Sequence, residues 1–259
     1  MQKIRSKDSH LENATRKPTV VLVHGAFAES ASWNGVIVEL QKRGYVTIAT
    51  PNPLRSVEGD AATVSRVVAA IDGPVVLVGH SYGGQVISNV KDSGNIKALV
   101  YVAAFAPDEG ESGAALAGKY PGSTLEQALA QPIPLEDGDV DLWIRHDKFH
   151  AQFAADMSGS EAALMAATQR HAAGGALNGP SGEPLWKAVP SYFIYGDADV
   201  CLPPQGLGWM ADRADSRKTV VIPGASHVVM ASNPLAVANL IDEAAQSADV
   251  LMHIEGIQP

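Results

Sequence analysis

Val75-Val76-Leu77-Val78-Gly79-His80-Ser81-Tyr82-Gly83-Gly84 is the stretch from which the fold is read. Val75–Val78 is an unbroken apolar run, the pattern of a strand buried on both faces. It passes directly into Gly-x-Ser-x-Gly, and Val86, Ile87 and Val90 follow at helical spacing. A buried strand, a tight turn and a helix in that order are the context in which a serine becomes a nucleophile. Gly79 and Gly83 keep side chains out of the way of the crossing backbone. Ser81 is left at the carboxyl end of the strand, and the amide of Tyr82 points at any oxyanion formed there.

On either side of this stretch, short apolar runs alternate with helical patterns, the signature of βα units around a parallel sheet. Strands are expected at Thr19–Val23, Tyr45–Ala49, Pro74–Val78, Ala98–Ala103, Ser191–Tyr195 and Thr219–Ile222. Helices are marked by Trp33, Val36, Ile37 and Leu40, and by Val64, Val67, Val68 and Ile71, with Gly44 and Gly73 ending them. Asn233 and Pro234 open a last helix with a buried stripe of Val237, Leu240, Ile241 and Ala244. From Phe105 to Val189 the text is helical and loop-like, with no clear strand, and it is too long for a plain connection. This divides the chain into an α/β core at 19–104 and 190–248, a helical cap inserted at 105–189, a mobile arm at 1–18 and a tail at 249–259.

Three further signals fall at strand ends. Val23-His24-Gly25-Ala26-Phe27 is a small-residue loop, and the Ala26 amide is the candidate to face that of Tyr82 across an oxyanion. His24 itself reads as a structural histidine bound to loop backbone. Tyr195-Gly196-Asp197-Ala198-Asp199 offers two carboxylates, one of which must hold a histidine in the right tautomer. Asp199 is preferred from its place between Gly196 and Pro203, and Asp197 is assigned to capping the turn. Ile222-Pro223-Gly224-Ala225-Ser226-His227 supplies the base, because His227 alone among eight histidines follows the last strand and a Gly turn. Phe105, Trp143, Phe149 and Phe153 are the candidate apolar wall of a pocket, or else simple packing of the cap.

The order Ser81, Asp199, His227 is the one the α/β-hydrolase topology requires. Val-His-Gly-Ala, Gly-His-Ser-Tyr-Gly-Gly, Ala103-Ala104-Phe105-Ala106-Pro107-Asp108, Asp199-x-x-Leu-Pro and Gly224-Ala-Ser-His resemble the methyl esterase and hydroxynitrile lyase branch of the α/β hydrolases, over about residues 18–247. The resemblance implies a triad of Ser81, Asp199 and His227, oxyanion amides at Ala26 and Tyr82, and no cofactor. The N-terminal arm is too short for the hairpin that opens larger relatives, so about six mostly parallel strands with helices on both faces are expected. The lyases of the branch carry Thr at the place of Gly25 and Lys at the place of Val228, and that departure favours an esterase. Lactonase, perhydrolase and carbon–carbon hydrolase chemistry can run on the same triad. A small-molecule receptor without turnover is the alternative outside enzymes.

Composition bounds the rest. The 259 residues are 46% hydrophobic and 18% charged, enough apolar material for one large core. A net charge of −9 argues against nucleic acid as a partner. A single cysteine, Cys201, excludes an intrachain disulfide and reads as a small buried residue. No Cys cluster suggests a metal. No apolar stretch is long enough for a membrane span, and the polar, basic start does not resemble a secretory signal. A cytoplasmic protein acting on a small-molecule ester is therefore expected. A cap of only about 80 residues predicts a modest pocket for short acyl or methyl-alcohol groups. The sequence leaves oligomeric state and natural substrate open.

Overall fold

The computed structural model describes residues 17–255, with side chains through residue 247. In chain order, Thr19–Val23 forms β1, Asn34–Lys42 α1, Thr47–Thr50 β2, Val57–Ala69 α2, Val75–His80 β3, Tyr82–Ser88 α3 and Ile96–Val102 β4. An inserted segment supplies α4 (Gly113–Ala117), α5 (Leu125–Ala128), β5 (Ile133–Pro134), β6 (Val140–Leu142), α6 (His146–Phe153), α7 (Gly159–Thr168), β7 (Ala172–Ala173) and α8 (Gly174–Asn178). The chain returns with β8 (Ser191–Gly196), α9 (Pro204–Arg213), β9 (Lys218–Ile222), α10 (Val229–Ser232) and α11 (Pro234–Glu255).

Six strands form one sheet in the order β2-β1-β3-β4-β8-β9, and every pairing in it is parallel. The sequence explains which strands lie inside. Every residue of β1, β3 and β8 is buried, and each strand is built around an apolar stretch, Val20–Val23, Val75–Val78 and Tyr192–Tyr195. The edge strand β9, Lys-Thr-Val-Val-Ile, carries its exposed residues outside. Helices α1 and α11 pack together, as do α2 and α3, and α3 and α11 lie against the central strands. Trp33, Leu22, Leu77 and Leu99 are among the largest side chains fully removed from water. Each such side chain contributes roughly 1.5–3 kcal/mol of transfer free energy.

Two sequence expectations change. The segment 105–189 is not purely helical, because β5, β6 and β7 form a small antiparallel sheet within it. Strands of two or three residues are too short to print an alternating pattern, and β5 contains Pro134. The chain also shows no break at residue 248: α11 continues to Glu255. The remainder of the expected tail and all but the last two residues of the expected arm lie outside the described residues. Lys17, from that arm, donates to the Arg43 carbonyl at 2.5 Å and sits over the Tyr45 ring. Among the described residues, no helix is long and apolar enough to cross a membrane.

The site is announced by backbone strain. Among the described residues, five other than glycine have positive φ, and four of them lie just beyond the carboxyl ends of β1 to β4. They are Phe27 (60°), Leu54 (61°), Ser81 (53°) and Ala103 (44°). Such conformations cost on the order of 1–3 kcal/mol each and persist only where the surroundings hold them.

Candidate active site

Ser81 joins β3 to α3 with φ 53° and ψ −123°. Packing enforces that turn. A Cβ on Gly79 would fall 2.5 Å from the Gly83 carbonyl oxygen, and one on Gly83 would fall 2.5 Å from that of Val23. Tyr82 is the first residue of α3, so its N–H has no partner within the helix and is free to serve the cavity. The loop after β1 runs directly over this turn. A Cβ on Gly25 would lie 2.6 Å from Ser81 Cβ and 3.1 Å from the Tyr82 nitrogen. That closeness lets the backbone of Gly25–Ala26 approach the serine. Ala26, Ser81, Tyr82 and His227 all line one cavity of about 600 Å3.

His24 ties two loops together. Its Nδ1–H donates to the Gly25 carbonyl at 2.9 Å, and its Nε2 accepts from the Asn52 N–H at 3.0 Å. Both nitrogens are committed to the neutral ring. Burial, with help from the nearby Arg170, lowers its pKa to about 4, although the bond to Gly25 acts the other way. Within the turn, His80 is fully buried, and its Nε2–H donates to the His227 carbonyl at 3.1 Å. Burial holds its pKa well below the usual histidine range, and the adjacent His227 acts in the same direction.

Asp199 and His227 meet where β8 and β9 end. A Cβ on Gly196 would fall 2.0 Å from the Ala225 carbonyl, so only glycine lets these two loops touch. Ala198 N–H donates to that carbonyl at 3.2 Å. Beyond it, Nδ1–H of His227 donates to Oδ2 of Asp199 at 2.7 Å. The other Asp199 oxygen accepts the amides of Cys201 and Leu202 at 2.8 and 2.9 Å. Both side chains are buried. Asp197 is exposed and its carboxylate accepts the Gly224 N–H at 2.6 Å, within the turn that leads to His227. The structure therefore joins Asp199, and not Asp197, to His227. It brings Ser81 and His227 to the same cavity.

Asp199, Cys201 and His227 each place one ligand-type atom within 4.8 Å of the others, the geometry of a possible metal set. The chemistry of the donors does not fit one. Both Asp199 oxygens are committed to donors, and burial, followed by the charge of Asp199, raises the Cys201 thiol well above its usual range. A metal would need the thiolate.

Of the four aromatic residues singled out in the sequence, Phe105 and Phe153 line the cavity. Phe149 packs behind Phe153 with ring centroids 5.0 Å apart, and Trp143 stacks on His171 at 5.7 Å. Neither Phe149 nor Trp143 borders the cavity. Phe27 and Tyr120 complete its aromatic wall. Asp60 is a site-supporting residue that the sequence did not reveal. It sits in the acidic first turn of α2, where carboxylates are ordinarily solvated, yet it is buried and accepts the Tyr82 hydroxyl at 2.9 Å. Burial raises its pKa and pushes that of the Tyr82 phenol upward as well. The pair anchors the first residue of α3 from behind.

Comparison with known proteins agrees with this architecture. An alpha/beta hydrolase of Aspergillus novofumigatus is 26% identical, covering 90% of this chain and 98% of its own. The carbendazim hydrolyzing esterase of a Nocardioides strain is 32% identical over a shorter stretch, 45% of this chain and 60% of its own. An alpha-hydroxynitrile lyase of Arabidopsis thaliana is 24% identical over 85% and 93%. Among solved structures, polyneuridine aldehyde esterase superposes with a TM-score of 0.77 at 19% identity, covering 88% of this chain and 99% of that one. A pyrethroid hydrolase of Sphingobium faniae gives 0.69 at 22%, covering 89% and 98%. Residues 20–240 match the alpha/beta hydrolase family. With that match spanning nearly the whole described fold, this chain is a member of the alpha/beta hydrolase family.

Proposed function

We propose that this hydrolase cleaves carboxylic esters through an acyl-enzyme on Ser81. The observation that carries the reading is the convergence on one cavity of a strained serine and a histidine whose far nitrogen is bound to a buried carboxylate. His227 Nε2 takes the proton from Ser81 Oγ as that oxygen bonds to the ester carbonyl carbon. The amides of Ala26 and Tyr82 hold the resulting oxyanion. His227 returns the proton to the departing alcohol oxygen, and the carbon–oxygen bond breaks. Water repeats the sequence, gives its proton through His227, and releases the acid. Asp199 keeps Nδ1 protonated and stabilises the charged ring between the two proton transfers.

The inserted segment at 105–189 serves as a cap. Tyr120, Leu125 and Leu129 from it line the cavity together with Ser81. At about 600 Å3 the cavity has more room than a short acyl group alone requires, and it falls in the range of sites that take drug-sized ligands. The substrates proposed are uncharged esters with short acyl or aryl groups. Relatives described as esterases support the reaction class. The test is labelling with a fluorophosphonate, run beside turnover of p-nitrophenyl and methyl aryl esters. A protein that labels on Ser81 and turns over esters supports the reading. One that does neither is a receptor.

A further inference from the structure

We propose that Gln152, on the cap helix α6, is a positioning residue that holds the Asp199 loop in register with His227, so that the cap forms part of the support of the catalytic acid. This rests on the triad reading above.

The loop that carries Asp199 is gripped by the cap through backbone and side chain alike. Gln152 is buried, and its Nε2 donates to the Val200 carbonyl at 3.0 Å. Its own carbonyl accepts the Cys201 thiol at 3.1 Å. Thr124 Oγ1 donates to Gln152 Oε1 at 2.9 Å and so fixes which end of the amide faces the loop. The Thr124 N–H reaches the same Val200 carbonyl at 3.0 Å, and Ser123 Oγ donates to the Cys201 carbonyl at 2.9 Å. Val200 and Cys201 are the two residues that follow Asp199, and the Cys201 amide is one of the two bound to its carboxylate. Every bond that Gln152 makes to the loop therefore lies one or two residues from the acid.

The same end of α6 also grips the base loop. Ser226, beside His227, donates its hydroxyl to the Phe153 carbonyl at 3.3 Å and to the Asp156 carboxylate. The Phe153 ring packs against the His227 ring, with centroids 5.0 Å apart. Gln152 and Phe153 are neighbours, so one helix end fixes the spacing between acid and base. Ordinary cap packing would need only apolar contact. A buried amide with both ends committed marks a place where geometry is being held.

The experiment uses the full chain with Gln152→Leu, which keeps the volume and removes the donor. Misplacement of reacting groups by a fraction of an ångström to 1 Å costs up to about 100-fold, so kcat per fluorophosphonate-titrated site should fall about 10–100-fold with KM within about threefold. In an Asp199→Asn background the same substitution should cost less than about threefold, because a residue acting through the acid has nothing left to position. Independently of turnover, the low-field proton resonance of the His227–Asp199 bond should broaden or vanish. Should Gln152→Leu fail to fold, Thr124→Val removes only the bond that orients the amide, with an expected loss of about 3–10-fold and the same dependence on Asp199. An unchanged kcat per site with an unaltered resonance overturns the proposal, as does an equal loss in the Asp199→Asn background. A wild-type protein that turns over no ester counts against the esterase reading, and the resonance still decides the role of Gln152.

Discussion

Asp199 uses both of its oxygens, one for His227 Nδ1–H at 2.7 Å and the other for two backbone amides. A carboxylate bound in this way cannot rotate to accept the proton elsewhere, so the ring is held as the Nδ1–H tautomer, which leaves Nε2 for the proposed role of base. Asp199→Asn substitutes a group that can donate as well as accept, and it favours the other tautomer. Turnover of p-nitrophenyl acetate should fall on the order of a thousandfold or more. Asp197→Asn alters only a turn that accepts the Gly224 amide and should cost no more than about tenfold. Steady-state kinetics on both variants checks this, and the reverse ranking moves the acid to Asp197.

Ser81→Ala should reduce ester turnover by several powers of ten, on the order of losing the whole triad. Its folding need not suffer. The serine sits at φ 53°, which alanine reaches at a similar steric cost, and its turn is fixed by Gly79 and Gly83. The melting temperature should therefore remain within a few degrees of the parent, and fluorophosphonate labelling should disappear. Residual activity above a few per cent in the alanine variant would falsify the assignment.

Stability should fall as the pH drops from about 6.5 towards 4. His24 is committed to the neutral form by its bonds to Gly25 and Asn52, and its pKa is lowered to about 4. In the unfolded chain the same ring takes up a proton near 6.5. Its contribution is thus complete above 6.5 and is lost through that window at about 1.4 kcal/mol per pH unit. The buried His80 shifts in the same direction. Urea unfolding at pH 7.5 and 5.0 should show a loss of roughly 2 kcal/mol or more. An NMR titration should find the His24 ring still neutral at pH 5. A flat stability profile with His24 titrating near 6.5 would refute the idea.

The parts of this fold that were legible in sequence are those whose physics is local in the chain. Val75–Gly84 contains a complete strand, turn and helix, and Thr19–Val23 a complete buried strand. The inserted segment was less legible because its order comes from contacts between distant residues. Ile133 pairs with Asp141, and Asp141 with Ala173, in runs too short to carry a period. The supporting residues were hidden for the same reason. Asp60 looks like an ordinary helix-start carboxylate, and Gln152 like a polar residue on an amphipathic helix. Only the fold brings Asp60 to Tyr82 and Gln152 to Val200, partners 22 and 48 residues away. Asp199 could be separated from Asp197 in sequence only by spacing, whereas in three dimensions a single hydrogen bond distinguishes them.

The reaction itself is the widest prediction: hydrolysis of uncharged esters and no cleavage of cyanohydrins, although an alpha-hydroxynitrile lyase is among the relatives. A lyase must bind a substrate hydroxyl and meet departing cyanide with a cation or donor, since an unpaired anion in a dry site is costly. At the first of these places stands Gly25, where even a Cβ would lie 2.6 Å from Ser81 Cβ and 2.7 Å from the His80 carbonyl oxygen. A threonine there would have to displace the Ser81 turn. At the second place stands Val228, which is wholly buried and carries no charge. For esters the requirements differ. The carbonyl oxygen needs two amides, and the acyl and alcohol parts need apolar walls, which Phe27, Phe105, Tyr120 and Phe153 supply. Rings and short chains fit such walls better than an extended twelve-carbon tail. One preparation should therefore be assayed on p-nitrophenyl acetate, butyrate and laurate, on methyl aryl esters, and on mandelonitrile. Acetate, butyrate or the aryl esters should lead by kcat/KM, and cyanide release should match the uncatalysed rate. Laurate as the best substrate removes the size argument, and cyanide release that disappears with Ser81→Ala removes the exclusion drawn from Gly25 and Val228.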